Sequence, residues 1–173
     1  MEKDVIILVD SHDNVIGYET KEKCHRMKPL LHRAFSVFIF NGRGEMLLTR
    51  RAKSKKTWPL FWSNACCSHP KKDETVENAA HRRIMEELGI DCPLRVLFRF
   101  QYEAQYDNEW GESEVDSVFV GSHDGTLRCD KNEIADWKFM PASSLREDVK
   151  KNPDAYTPWF KFCFERVLKE MNV

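Results

Sequence analysis

The sequence is poor in the residues that break structure. Only 7 of its 173 residues are glycine and 7 are proline, which excludes collagen-like, linker-like and low-complexity architectures. An excess of either charge is also missing. With 27 Lys/Arg against 28 Asp/Glu the net charge is −1, so no electrostatic footprint for nucleic acid or for an acidic membrane surface exists. Neither partner is expected. The six cysteines show no Cys-x-x-Cys spacing, and adjacent Cys66 and Cys67 make a poor disulfide scaffold. The opening apolar run, Val5 to Val9, is too short for an export signal or a membrane span. Reduced thiols and a cytoplasmic location are therefore expected. The length suits one domain over residues 1–173, and a monomer is the default expectation.

What is present is an ordered globular composition, with 42 % hydrophobic and 12 % aromatic residues, enough for a substantial core. Val5–Val9 and Val15–Tyr18, separated by Ser11-His12-Asp13-Asn14, read as a hairpin. A β-prone run, Ala34–Phe40, ends in Asn41-Gly42, and Met46–Thr49 returns from that turn as a second hairpin. Arg50 to Lys56 reads as an irregular basic loop. The clearest helix covers Thr75–Leu88, with Val76, Ala80, Ile84 and Leu88 on one face and Gly89 as a stop. Leu94–Tyr106, Val115–Val120 and Ala135–Met140 read as strands, and Ser143–Lys150 and Ala155–Met171 as helices. This order predicts a mixed α/β domain, a sheet sandwiched by helices.

Three groups of residues can carry chemistry. The first is the thiol of Cys67, in Trp62-Ser63-Asn64-Ala65-Cys66-Cys67-Ser68-His69-Pro70. An unperturbed thiol has a pKa of about 8.5, so proton transfer by Cys67 calls for nearby positive charge to stabilise the thiolate. On an extended segment Cys66 points the other way. Taken alone, Cys67 reads equally as a buried structural cysteine. The second group is His25, His32 and His69 with Glu112 and Glu114. The two glutamates alternate along a strand and so project from one face, and five such ligands suit a first-row divalent ion with one position left open. Asp116 extends that face, but strand twist carries it away. The third group is basic: Arg50, Arg51, Lys53, Lys55 and Lys56, a solvated surface unless an anion faces it. On the helix, Arg83 and Glu87 stand four apart, so they can pair or both face a ligand.

The helix segment resembles the Nudix box. Glu74, Arg82, Ile84, Glu86, Glu87, Gly89 and Ile90 match its pattern, whereas Ser68 replaces its glycine and Arg83 a metal-binding glutamate. That second departure counts against the rival reading, a Nudix pyrophosphohydrolase. The chain from Val5 to the last helix resembles the type 1 isopentenyl-diphosphate isomerases, a Nudix-fold family. The resemblance rests on Lys21, His25, His32-Arg33-Ala34-Phe35-Ser36, Thr49 to Pro59, Trp62 to Pro70, Glu112-Ser113-Glu114-Val115 and Thr157-Pro158-Trp159. It implies interconversion of isopentenyl and dimethylallyl diphosphate, a reaction of isoprenoid biosynthesis. It implies that Cys67 and Glu114 work on opposite faces of the alkene, with Tyr102 assisting Glu114. It further implies a Mn2+, Zn2+ or Mg2+ held by His25, His32, His69, Glu112 and Glu114, and a Mg2+ bound through Glu87 and the substrate. Lys21, Arg51, Lys55 and Arg83 are then expected to hold the diphosphate. Such a reaction passes through a tertiary carbocation, which needs an acid on one face, a base on the other and a dry aromatic wall. Trp159 supplies that wall through its π face, worth about 2 kcal/mol when desolvated, although its spacing alone also fits a core aromatic.

Overall fold

The structure, a computed structural model, describes residues 5–173. Strand β1 (Val5–Val9) returns as β2 (Val15–Thr20), the first expected hairpin. A short helix α1 (Lys21–His25), which the sequence does not advertise, leads into β3 (His32–Phe40) and β4 (Met46–Arg51). Then follow β5 (Trp62–Ser63), β6 (Cys66–Ser68), α2 (Val76–Leu88), β7 (Arg95–Gln105), β8 (Gly111–Ser122), β9 (Ile134–Met140), α3 (Ala142–Lys151) and α4 (Pro158–Glu170).

The nine strands among the described residues form one mixed sheet. Its spine is β3, which runs parallel to β8 from His32 opposite Glu114 to Phe40 opposite Ser122. The period-two alternation of β3 sorts its side chains. Phe35, Val37 and Ile39 pack under α2 with Ala80, Ile84 and Leu88. Phe38 and Phe40 face the other way, against Phe160, Phe164 and Leu168 of α4. The sheet is thus covered on both faces, as expected for the sandwich.

Three expectations need correction. The second hairpin is barely one, because β3 and β4 pair only at Phe40 and Met46. Beyond the turn they splay, and the segment from Trp62 to Ser68 fills the wedge, pairing first with β4 and then with β3. Arg50 and Arg51 lie within β4 rather than in a loop. The last helix starts at Pro158, since Pro153–Ala155 forms a separate 3-10 turn and Thr157 is the residue before the helix. Proline suits a first helical position because its missing N–H has no partner there anyway.

Helix α2 begins and ends as its sequence specifies. Thr75 Oγ1 accepts a hydrogen bond from the backbone N–H of Asn78 at 3.2 Å. Gly89 closes the helix at φ 66°, where a Cβ would stand 2.8 Å from Arg128 Cβ, so only glycine fits. Loss of the N-terminal cap in Thr75→Ala should lower stability by about 1 kcal/mol. A urea denaturation midpoint that does not move would contradict the cap's contribution.

Candidate active site

A cavity of about 340 Å³ is lined by residues from α1, the end of β4, β6, β7, β8 and α4. Its lining includes Lys21, His25, Arg51, Lys55, Cys67, His69, Tyr102, Glu112, Glu114 and Trp159. Ten of the thirteen residues singled out from the sequence therefore reach one space. His32 lies buried beneath it among the other histidines. Arg83 and Glu87 do not line it.

The strand register explains the convergence. On β8, Glu112, Glu114 and Asp116 share a face with Val118 and Val120, the core residues that meet α4. Parallel pairing sets Glu114 beside His32, and antiparallel pairing with β7 sets it beside Tyr102. Tyr102 Oη donates to Glu114 Oε2 at 2.6 Å. On the other side, β6 pairs Cys67 with Ser36 and Cys66 with Val37. Cys66 consequently turns into the core under α2, whereas Cys67 turns towards the cavity.

The three imidazoles gather around one point, tilted or edge-on to one another with ring centroids 4.6, 4.9 and 5.0 Å apart. His25 Nδ1 donates to Lys21 O at 2.6 Å and His32 Nδ1 to Leu30 O at 2.7 Å, leaving each Nε2 with its lone pair. One ligand atom from each of His25, His32, His69, Glu112 and Glu114 lies within 4.8 Å of all the others, so the group can hold a metal ion. The residues fit a cation on a second count. His32 Nε2 and Glu112 Oε2 are buried without a hydrogen-bond partner, although Glu114 and His25 stand 3.3 and 2.9 Å away. Atoms aimed at a common centre rather than at each other are what a metal site requires.

Burial and charged or hydrogen-bonded neighbours compete over charge in this site. Desolvation takes His69 well below the usual imidazole value despite the pull of Glu114, so its ring is neutral and able to ligate. Burial opposes the charging of His25 too, but Glu112 prevails and raises it. Desolvation favours a protonated Glu114, yet the adjacent imidazoles of His32 and His69 hold it well below the usual carboxylate range. Asp116 goes the other way, raised by burial and then by Glu114. Tyr102 is raised well above its ordinary value by burial and Glu114.

Cys67 departs from expectation. Desolvation, with Asp116 adding to it, pushes the thiol up to about 12, so the group is a thiol and not the charge-stabilised thiolate that the sequence suggests. Its neighbours are polar rather than cationic: Asn64 Oδ1 at 3.1 Å and Ser36 Oγ at 3.5 Å. Ser36 in turn donates to Asp116 Oδ2 at 2.7 Å.

The expected anion-binding residues divide into two layers. Lys21, Arg51 and Lys55 reach the cavity. Arg83 stands behind them, donating to Glu87 Oε1 at 3.0 Å and meeting Glu133 Oε1 at 3.2 Å. Glu133 also pairs with Lys55. Burial raises Glu87, with Arg83 opposing. Glu133 thus links the layers, and no motif or periodicity marks it in the sequence. Arg51 is partly engaged already. Its Nε and one Nη donate to Thr57 O and Trp58 O at 2.9–3.2 Å, and its guanidinium lies 5.2 Å from the Trp159 ring.

Residues 30–160 match the NUDIX domain. Isopentenyl-diphosphate Delta-isomerase 1 of Aromatoleum aromaticum is 45 % identical, over 96 % of this chain and 93 % of its own. Isopentenyl-diphosphate Delta-isomerase 2 of Photorhabdus laumondii is 43 % identical, over 91 % and 89 %. The chain belongs to the isopentenyl-diphosphate Delta-isomerase family of NUDIX proteins. Solved structures share the fold alone. A MutT protein from Methanosarcina mazei aligns with a TM-score of 0.67 at 19 % identity, over 83 % of this chain and 96 % of that one. A Deinococcus radiodurans protein aligns at 0.70 and 20 %, over 85 % and 89 %. Among the described residues, no helix is long and apolar enough to cross a membrane.

In a member of this isomerase family, the buried histidine–glutamate group should couple metal to stability. An ion at 100 times its Kd adds about 2.7 kcal/mol when it binds only the folded state. A chelator should therefore lower the melting temperature, and added divalent metal should restore it. His25→Ala and His69→Ala should each retain less metal by elemental analysis and lose most of that rise. Identical melting of the wild type with chelator and with metal would contradict this role.

Proposed function

We propose that this chain is a cytoplasmic, monomeric isomerase, one domain over residues 1–173, that interconverts isopentenyl and dimethylallyl diphosphate with its diphosphate intact. One observation carries the reading. The Cys67 thiol, the Tyr102–Glu114 pair and Trp159 meet in a cavity whose charged end is lined by Lys21, Arg51 and Lys55. Such a cavity has an acid–base wall, an aromatic wall and a cationic end, which matches a five-carbon alkene carrying a diphosphate.

The step moves one proton in and one out. A proton joins the terminal methylene of isopentenyl diphosphate, and the positive charge settles on the tertiary carbon. A second proton then leaves the carbon next to it on the diphosphate side, and the electron pair of that C–H bond becomes the new double bond. No redox change occurs and no bond to phosphorus breaks. Cys67 serves one face of the alkene and Glu114 the other, with the Tyr102 hydroxyl donating the 2.6 Å hydrogen bond that holds the Glu114 carboxylate in place. Trp159 turns its π face towards the developing cation. Lys21, Arg51 and Lys55 grip the diphosphate, so binding energy from the far end orients the hydrocarbon tail.

His25, His32, His69, Glu112 and Glu114 would hold a Mn2+, Zn2+ or Mg2+, whose positive charge supplies Lewis acidity at the Glu114 carboxylate. Glu87, a buried carboxylate paired with Arg83 behind the cationic end of the cavity, would contribute to a Mg2+ site on the diphosphate side. Arg83 supports this arrangement from behind, through Glu87 and Glu133. The same arginine stands where the hydrolases of this fold carry a metal-binding glutamate, so hydrolysis lacks that ligand.

Incubation with isopentenyl diphosphate and Mg2+ should yield the dimethylallyl isomer, with negligible release of phosphate or pyrophosphate. Release at a rate near that of isomerisation would sink the reading in favour of a hydrolase. In deuterated water the product should carry deuterium. Cys67→Ala and Glu114→Gln should each lose at least about 10²–10⁴-fold in turnover, with diphosphate affinity largely retained. Cys66→Ala should be nearly silent in turnover. Near-normal turnover by Cys67→Ala alongside a dead Cys66→Ala would mean that the other thiol does the chemistry.

A further inference from the structure

Behind the cavity wall, a row of hydrogen bonds has directions that admit no choice. The indole N–H of Trp159 can only donate, and it donates to Ser63 Oγ at 2.9 Å. Asn64 commits its amide hydrogens to Val37 O at 3.0 Å and Cys66 O at 2.9 Å. Its Oδ1 must therefore point the other way. There it accepts from Ser63 Oγ at 3.0 Å and from Cys67 Sγ at 3.1 Å. Ser63 has then used its one proton, so Thr157 Oγ1, 2.9 Å away, is the donor in their contact. Ser63, Asn64 and Thr157 are all buried, and buried hydrogen bonds of this kind polarise one another and hold geometry.

We propose that Asn64 and Ser63 are positioning residues that tie the thiol of Cys67 to the indole of Trp159. The link runs Trp159 Nε1, Ser63 Oγ, Asn64 Oδ1, Cys67 Sγ, and every hydrogen bond in it lies between 2.9 and 3.1 Å. The inference rests on the roles proposed above for Cys67 and Trp159. A thiol on a single Cβ–Sγ bond has three staggered positions, and the fixed amide oxygen favours the one that aims it along the wall. A small alkene offers no polar handle at its reacting end. The proton-transfer group and the cation-facing ring must therefore be set relative to each other by the protein itself. Asn64 has a second duty, since it supplies a hydrogen-bond donor to Val37 O where β3 parts from β4. That duty alone would affect stability and not turnover of the folded enzyme.

The test uses Ser63→Ala, Ser63→Thr and Asn64→Leu in the full metal-loaded chain. Ser63→Ala deletes one hydroxyl and should lower kcat on the order of 10²-fold through misplacement, with KM within about twofold of wild type because the diphosphate end is untouched. Ser63→Thr, which keeps the hydroxyl, should recover most of kcat. Asn64→Leu should match the kcat loss of Ser63→Ala and add a loss of stability. Without substrate, the Trp159 indole N–H resonance, assigned with Trp159→Phe in nitrogen-15-labelled protein, should move upfield in Ser63→Ala. Wild-type kcat in Ser63→Ala, an unmoved indole resonance, or a kcat loss that only tracks the folded fraction would each overturn the proposal. A Cys67→Ala control that turns over normally would instead defeat the assignment of Cys67, whatever the indole shows.

Discussion

The parallel pairing of β3 with β8 is the constraint on which the site depends. It runs the length of β3, and a one-residue slip would turn every side chain of β8 to the opposite face. The same register that sends Val118 and Val120 into the core against α4 therefore sends Glu112, Glu114 and Asp116 towards the cavity. Core packing, rather than any interaction among the polar groups, locates the carboxylates. Without that anchoring, three acids on a strand buried almost throughout would have no reason to stay there. Imidazoles from α1, β3 and the end of β6 then close on the face that β8 presents.

The wedge is the complement of that pairing. Two strands that stayed hydrogen-bonded along their length would leave no place in the sheet for the segment that carries Cys67. Because β3 and β4 separate after one pair, each needs another partner, and the chain from Trp62 to Ser68 serves both. Thr49 Oγ1 donating to Asn64 O at 2.7 Å and the Asn64 amide donating to Val37 O satisfy carbonyls at the parting point. A cavity among packed strands thus leaves few backbone groups unpaired.

Much of this is legible in the sequence. Alternation in β3 and β8, the four-residue spacing along α2 and the capping Thr75 and Gly89 all act locally, so sequence carries them. The spacing of Glu112 and Glu114 likewise predicted a shared face. What failed depends on distant neighbours. The Asn41-Gly42 turn is a sound hairpin signal, but it cannot say that other strands will draw its arms apart. The two-residue β5 and three-residue β6 are too short to show a period. The expectation of a cation-stabilised thiolate at Cys67 failed because desolvation and Asp116 come from remote parts of the chain. The four-residue spacing of Arg83 and Glu87 allows them either to pair or to face a ligand together; they pair, and Arg83 also meets Glu133, which no motif announces.

Trp58 and Leu60 occupy left-handed backbone at φ 44° and 65°, a conformation that costs of order 1–3 kcal/mol for such residues. Arg51 holds the carbonyls of Thr57 and Trp58, and the Trp58 ring stands edge-on to Trp159 at 5.2 Å. One guanidinium thus steadies a sprung loop while reaching the charged end of the cavity. The carbonyls of Thr57 and Trp58 and the charged end of the cavity therefore share one anchor, so the side chain that faces the anion also holds the loop that carries the Trp58 ring.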